Sequence, residues 1–259
     1  MRVALVTGAA RGIGAAVVRR LANSGWQVVA VDRCADDPRV PYPLGTREQL
    51  AALTAEHPNA VTDVVADVQD VAALRDAVTL AEDTFGGLHA AVAAAALMTG
   101  GRPLWETDDT EWDALFSVGV LGVANLARAA VPALLRRPEP RSGRFVALAS
   151  AAAHHGLWHL AGYNAAKHAV VGLIKGLATD LRDTGVCATA VSPGSTRTAM
   201  LDATARLYDL GSAEEFASHQ LTGRLLAPDE IASVVCFLCS AESSAITGSV
   251  VHADGGFAP

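Results

Sequence analysis

Aromatic side chains are scarce in this chain, at 5 % of its residues. Its 51 % hydrophobic content is instead largely alanine and aliphatic, and is ample for a packed core. Long apolar runs are missing as well. The longest, near Ala90 to Met98, spans about nine residues against the roughly 20 that a membrane helix needs, so no membrane role is expected. The first strand pattern begins almost at Met1, and no signal segment is expected ahead of it. There is no excess of base: 20 Lys and Arg stand against 27 Asp and Glu, a net charge of −7 that argues against nucleic acid as the main partner. Blocks of like charge, low-complexity segments and internal repeats are also lacking. The four cysteines form no disulfide pattern, which suits a reducing cytoplasm. Cys236 and Cys239 have metal-ligand spacing but lie in an apolar helix pattern without a second pair, so core packing is expected and no metal site.

What is present alternates. Strand patterns at about 3–7, 27–31, 61–66, 88–94, 144–149, 186–191 and 249–253 are separated by helix patterns at 12–23, 46–56, 70–85, 109–135, 161–183 and 228–239. Such alternation predicts an α/β fold, a doubly wound parallel sheet of about seven strands with helices on both faces. No linker divides residues 1–259, so one domain is expected. Pro132 falls inside a helix pattern and predicts a kink or the last turns of that helix.

The N-terminal strand runs into Gly8-Ala-Ala-Arg11-Gly12-Ile13-Gly14, then a helix, then a second strand ending in Asp32. Glycines at these positions permit a tight turn and let backbone approach a pyrophosphate resting on the helix N-terminus. The acid about 20 residues on suits the hydroxyls of an adenine ribose. A carboxylate there favours NAD over NADP, whereas Arg11 and Arg33 could each reach a 2′-phosphate.

Tyr163 and Lys167 lie four residues apart, on one face of the pattern at 161–183, with Ser150 thirteen residues upstream. An ammonium beside a phenol is expected to lower the phenol's pKa from about 10, and a serine hydroxyl can bond a substrate oxygen. This is a proton-transfer site for a carbon–oxygen centre.

Together, Thr7-Gly-Ala-Ala-Arg-Gly-Ile-Gly14, Asp67-Val68, Ser150, Tyr163 with Lys167, Pro193-Gly-Ser-Thr-Arg-Thr198 and Asp254-Gly-Gly256 resemble the short-chain dehydrogenase/reductases over the whole chain. The resemblance implies a Rossmann-type enzyme moving hydride between a nicotinamide and an alcohol or carbonyl carbon. Tyr163 would be the acid or base, Lys167 would tune it and bond the nicotinamide ribose, and Ser150 would orient the substrate. It also implies that Asp67 and Val68 face the adenine, that Ala94 lies beside the ribose, and that Pro193, Gly194, Thr196 and Thr198 cradle the nicotinamide. Asp67 has an alternative as a helix N-cap, and the threonines as ordinary turn hydroxyls. A lid is implied at about 198–222, and a homotetramer pairing helices 109–135 and 161–183 through Ala124, Ala127, Ala130, Ala165, Ala166 and Ala169.

Two departures stand out. The family has Asn-Asn-Ala-Gly after the fourth strand, where this chain has Ala93 to Ala96, and it has a catalytic asparagine where Gly119 falls. The substrate pocket is expected near Met98, Trp105, His154, His155, Leu157, Trp158, His159, Met200 and Leu201, which suits a hydrophobic secondary alcohol or ketone. The proline-rich insert from Cys34 to Thr46, with Gly101 to Thr107 and the ending Gly248 to Phe257, resembles the mycofactocin-coupled subgroup of actinobacteria. That resemblance implies trapped NAD, reoxidised in place by a peptide-derived redox carrier. The rivals are a freely exchanging NADPH-dependent carbonyl reductase and a catalytically weak nucleotide-binding protein.

Overall fold

A computed structural model describes residues 1–258. Seven strands form one sheet: β1 (Val3–Thr7), β2 (Gln27–Asp32), β3 (Val61–Val65), β4 (Ala90–Ala93), β5 (Arg144–Leu148), β6 (Cys187–Pro193) and β7 (Val250–Ala253). All six pairings are parallel, in the order β3-β2-β1-β4-β5-β6-β7. Between β1 and β4 the winding reverses, and a crevice opens there beyond the strand C-termini.

The helices are α1 (Gly12–Asn23), α2 (Arg47–Glu56), α3 (Val71–Phe85), α4 (Asp109–Gly119), α5 (Leu121–Leu135), α6 (Ala161–Asp180), α7 (Ala199–Leu207) and α8 (Pro228–Cys239). Strand alternation sorts their contacts. Val3 and Leu5 face a core shared with α3, α5 and α6, whereas Ala4 and Val6 face one shared with α1, α2 and α8. Both faces of β1 are thus buried, which is why it reads as a continuous apolar run. Cys239 is fully buried in the second core and Cys236 packs against it, as expected of core thiols.

The pattern at 109–135 becomes two helices, broken at Val120 directly after Gly119. Gly119 is therefore a terminal helical residue with open space where a Cβ would stand, and it does not strain a helix interior. Pro132 lies in the last turn of α5 and breaks nothing. Residues 109–135 are long and apolar enough by composition to cross a membrane, but half of an 18-residue apolar window within them is buried inside the protein.

The insert is folded onto the body of the protein. It opens at Cys34 in the left-handed region (φ 54°), a conformation that costs a non-glycine residue about 1–2 kcal/mol. It closes at Thr46, whose side chain and that of Gln49 cap α2 reciprocally. Between these ends it is held at several points. Asp37, 2 % exposed, accepts from both Arg33 (2.8 Å) and Arg39 (2.6 Å). Arg39 continues to Asp113 on α4 (2.6 Å). The Tyr42 hydroxyl, buried, accepts from the Met98 amide (2.8 Å), and Arg11 donates to the Pro43 carbonyl (2.7 Å).

Candidate active site

All the catalytic and cofactor candidates border one cavity of about 1340 Å³ at the switch point. That exceeds the roughly 300–1,000 Å³ of a single drug-sized ligand and suits a dinucleotide with a second molecule.

The nucleotide end is built from backbone. Gly8 has φ +66°, and a Cβ there would stand 2.7 Å from the Ala95 nitrogen. A Cβ on Gly14 would stand 2.0 Å from the Gly8 carbonyl, so the turn closes only with glycine at both positions. No side chain caps α1, and its first residues, Gly12 to Gly14, border the cavity. Its free N–H groups suit an anion such as a pyrophosphate. Asp32 at the end of β2 accepts from the amides of Ala10 (2.9 Å) and Cys34 (3.0 Å), which fix its carboxylate at the cavity wall. Uncapped helix, glycine turn and acid together fit a dinucleotide.

The two arginines that could have met a 2′-phosphate are engaged elsewhere. Arg33 pairs with Asp37 and with Asp67 (3.4 Å), and Arg11 is turned onto the insert. Asp67 is not the cap of α3. Asp70 is, accepting from the amides of Ala72 and Ala73. The Thr7 hydroxyl accepts from the amides of Ala94 (3.2 Å) and Ala95 (3.4 Å), and so braces the strand end where the family's asparagine is missing.

The candidates for proton transfer arrive from two elements. Ser150 follows β5 and caps a 3-10 turn at 151–153, accepting from the Ala152 amide (3.1 Å). Tyr163 lies in the first turn of α6 and Lys167 one turn further. Gly162 lets α6 approach α4, since a Cβ there would meet Leu115 at 2.9 Å. Lys167 Nζ lies 5.7 Å from the Tyr163 ring centroid, but it donates to the Leu148 carbonyl (3.0 Å). The expected lowering of the phenol's pKa is not found. Burial pushes Tyr163 up to about 12, against a downward pull from the Ser150 hydroxyl, and burial pushes Lys167 down to about 8. Burial is the largest influence on both groups.

The nicotinamide-side candidates also border the cavity. The Thr196 hydroxyl donates to the Gly194 carbonyl (2.9 Å). The Thr198 hydroxyl donates to the Thr196 carbonyl and caps α7 through the Leu201 amide. Both are turn hydroxyls here, and the Thr198 methyl lies 3.5 Å from where a Cβ on Gly12 would be.

The expected substrate wall is half right. Met98, Leu157, Trp158, Met200 and Leu201 line the cavity. Trp105 does not and is 83 % exposed, and His154, His155 and His159 are also outside the lining. His154 follows the 3-10 turn after Ser150 and turns to Ser192 (2.9 Å), its ring tilted against that of His252 with centroids 4.4 Å apart. The reading missed His219 and Phe257, both of which line the cavity. Phe257 follows the Asp254-Gly-Gly256 turn that was singled out, so a signal for it lay one residue away.

An open parallel sheet with a glycine turn at its switch point defines a dinucleotide-binding protein. A family model described as enoyl-(acyl carrier protein) reductase matches residues 8–258. An uncharacterized oxidoreductase of Mycobacterium tuberculosis is 34 % identical over 267 residues, covering 99 % of this chain and 96 % of that one. The (−)-trans-carveol dehydrogenase of Rhodococcus erythropolis is 32 % identical, with 98 % and 96 % covered. The solved carveol dehydrogenase of Mycobacterium avium in complex with NAD superposes with a TM-score of 0.92 at 30 % identity, over 98 % of this chain and 96 % of that one. The chain belongs to the short-chain dehydrogenase/reductase family of oxidoreductases.

Proposed function

We propose that this oxidoreductase uses NAD to interconvert a hydrophobic secondary alcohol and its ketone, with Tyr163 as the proton-transfer residue. The observation that carries this reading is the convergence of Ser150, Tyr163 and Lys167 on the cavity that also holds the glycine turn and Asp32. NAD, when bound, supplies the hydride acceptor. The α1 N-terminus and Gly8 would hold its pyrophosphate, and Asp32 the ribose hydroxyls. In oxidation the alcohol would give the hydride from its carbon to NAD and its hydroxyl proton to the ionised form of Tyr163, and a ketone leaves. In reduction the neutral phenol, held protonated by burial, donates that proton back to the carbonyl oxygen. Ser150 orients the oxygen, and Lys167 supplies positive charge at the base of the site.

NAD is favoured over NADP because Arg11 and Arg33 are held by Pro43, Asp37 and Asp67. A weak binding protein is disfavoured by the unstrained position of Gly119 and by the intact trio. The insert supports slow NAD release: it is bonded to Arg11, Asp113 and the Met98 amide, and its Gly45 backbone packs so closely on Asp32 that an added Cβ would stand 3.1 Å from that carboxylate. Slow release agrees with reoxidation in place by a mycofactocin-type carrier. Residues 198–222 act in this reading as a lid, through α7 and the capped 3-10 segment 213–219. Four unpaired thiols agree with a cytoplasmic enzyme. A homotetramer would use the accessible alanines Ala124, Ala127, Ala165 and Ala169, since Ala130 and Ala166 are buried within one chain.

The test is to denature extensively gel-filtered protein and quantify the released dinucleotide. Near one NAD(H) per chain is expected. Empty protein that binds NADP more tightly than NAD would overturn the trapping and the cofactor choice together.

A further inference from the structure

In a chain poor in aromatics, six rings run in one arc beside the cavity. Trp158 lies 5.9 Å from Tyr208, Tyr208 6.1 Å from Phe216, and Phe216 6.0 Å from His219. His219 then lies 6.1 Å from Phe257, and Phe257 5.6 Å from His155. Every step falls within the 4.5–7 Å range of ring pairs that attract through edge and face. The rings come from three distant segments: the loop after Ser150, the stretch from α7 to the 3-10 segment, and the C-terminal tail. All but His155 line the cavity.

The arc is braced. The Tyr208 hydroxyl donates to the Trp158 carbonyl (2.5 Å), and Trp158 stacks on His159 with centroids 3.5 Å apart. The Ala258 amide donates to the His219 carbonyl (2.8 Å), and Gln220 forms an antiparallel bridge with Phe257. Such rings lose little conformational freedom when a ligand meets them. The polar lid side chains nearby are engaged locally: Thr204 donates to the Met200 carbonyl, Glu215 accepts from the Ser212 amide, and Arg197 pairs with Glu214. None of these engagements builds a cationic site for an acidic substrate. The aliphatic lining, with Met98, Leu157, Met200 and Leu201, would bury any apolar body without preference for shape. A run of fixed rings distinguishes a flat π-system from a saturated ring of similar size.

We propose that this arc recognises a planar, π-bearing ring, so that the substrate is an aryl-type secondary alcohol or ketone. The inference rests on the reading of Tyr163 as the proton-transfer residue and names the substrate class of that same site.

The probes are 1-phenylethanol and 1-cyclohexylethanol, which differ in ring saturation. Their kcat/KM ratio is measured in the wild-type holoenzyme and in Trp158→Leu, Phe257→Leu and the double variant. Intrinsic benzylic reactivity is common to all four proteins and cancels. The ratio is expected to fall about threefold in each single variant and about tenfold in the double. A ratio that holds within twofold in the double variant overturns the proposal. Trp158 is 69 % exposed, so its truncation leaves no internal cavity, and circular dichroism verifies the fold of each variant. If neither alcohol turns over, calorimetric titration of the NAD-loaded proteins with acetophenone and cyclohexyl methyl ketone decides. Tighter acetophenone binding that weakens in the double variant supports the arc, and equal or undetectable binding overturns it. The two readings fail separately: the chemistry fails if turnover survives Tyr163→Phe, and the arc fails if the preference survives loss of its rings.

Discussion

At the Gly8–Gly14 end the cavity wall is main chain, and at the Trp158–Phe257 end it is side chain. The first end consists of a turn that no Cβ fits, an uncapped helix N-terminus, and one carboxylate pinned by two amides. The second is assembled from three loops whose rings touch one another. Backbone recognition leaves little room for sequence change, since any added atom collides with the turn. Side-chain recognition can be rebuilt by substitution without disturbing the sheet. The contrast explains how one fold keeps its cofactor chemistry while its substrate varies.

The sharpest way to break this comparison is at the boundary between the two ends. Tyr163→Phe removes one hydroxyl and leaves both walls in place. Alcohol oxidation is expected to fall by about 10³-fold, within the range for a lost acid–base group, with the dinucleotide content of the purified protein unchanged. Steady-state kinetics together with the released-nucleotide assay checks both halves.

The next effect falls on the backbone wall alone. Gly14→Val would drive a branched side chain into the Gly8 carbonyl, 2.0 Å from the first added carbon. A loss of about 3 kcal/mol of stability and of dinucleotide binding is expected, because main chain cannot step aside. Urea denaturation measures the first and NAD titration the second. Phe257→Leu at the other wall should leave both near wild type, which is the difference the comparison asserts.

The two walls were not equally legible in the sequence. The glycine turn with Asp32, and Tyr163 with Lys167, stand at fixed short offsets within or between adjacent elements, so each group was legible from spacing, and the parallel sheet brings both groups and Ser150 to one cavity. The substrate wall depends on how loops fold back, and spacing carries no such information. His154 and His155 follow closely after Ser150, yet the 3-10 turn carries them off the cavity, while distant Phe257 is brought to it. The single helix expected at 109–135 divides at Val120, next to Gly119, a residue that would weaken a continuous helix and is suited to its end. Helical spacing places Lys167 beside Tyr163 but says nothing about burial or about the Leu148 carbonyl.

That burial has a measurable pH signature. Lys167 titrates near 8 in the fold against about 10.4 unfolded, so between those values the unfolded chain binds more protons and stability rises with pH. Its penalty is full below pH 8 and is relieved as pH climbs towards 10. Tyr163 works in the opposite sense at higher pH: its folded value near 12 lies above the unfolded value of about 10, so its contribution holds below pH 10 and is lost above. Lys167→Met is expected to flatten the rise between pH 8 and 10, an effect on the order of 2 kcal/mol. Urea midpoints at pH 7.5 and 9.5 for both proteins check it.

The smallest expected effect tests the one segment that joins the two walls. The insert touches the nucleotide end through Arg11 and Gly45 and the substrate end through Tyr42, which packs with Met98, Leu160 and Ala203. Its hub is Asp37, whose carboxyl is held well below the usual range by Arg39 first and Arg33 second. A depressed folded pKa means that this anchor is intact at neutral pH and is lost only as strong acid protonates it. NAD retention is therefore expected to be flat between pH 5 and 8. Asp37→Asn keeps the shape but removes the charge, and so breaks the ion pairs to Arg33 and Arg39 together, leaving each with its second partner, Asp67 and Asp113. Cofactor release should quicken about tenfold, with kcat at saturating NAD little changed. Stopped-flow measurement of NADH release separates the outcomes. A faster release would mean that the insert holds the nucleotide through its ionic hub. An unchanged rate would mean that the main-chain wall retains the cofactor unaided, and the two ends of the cavity would then be independent.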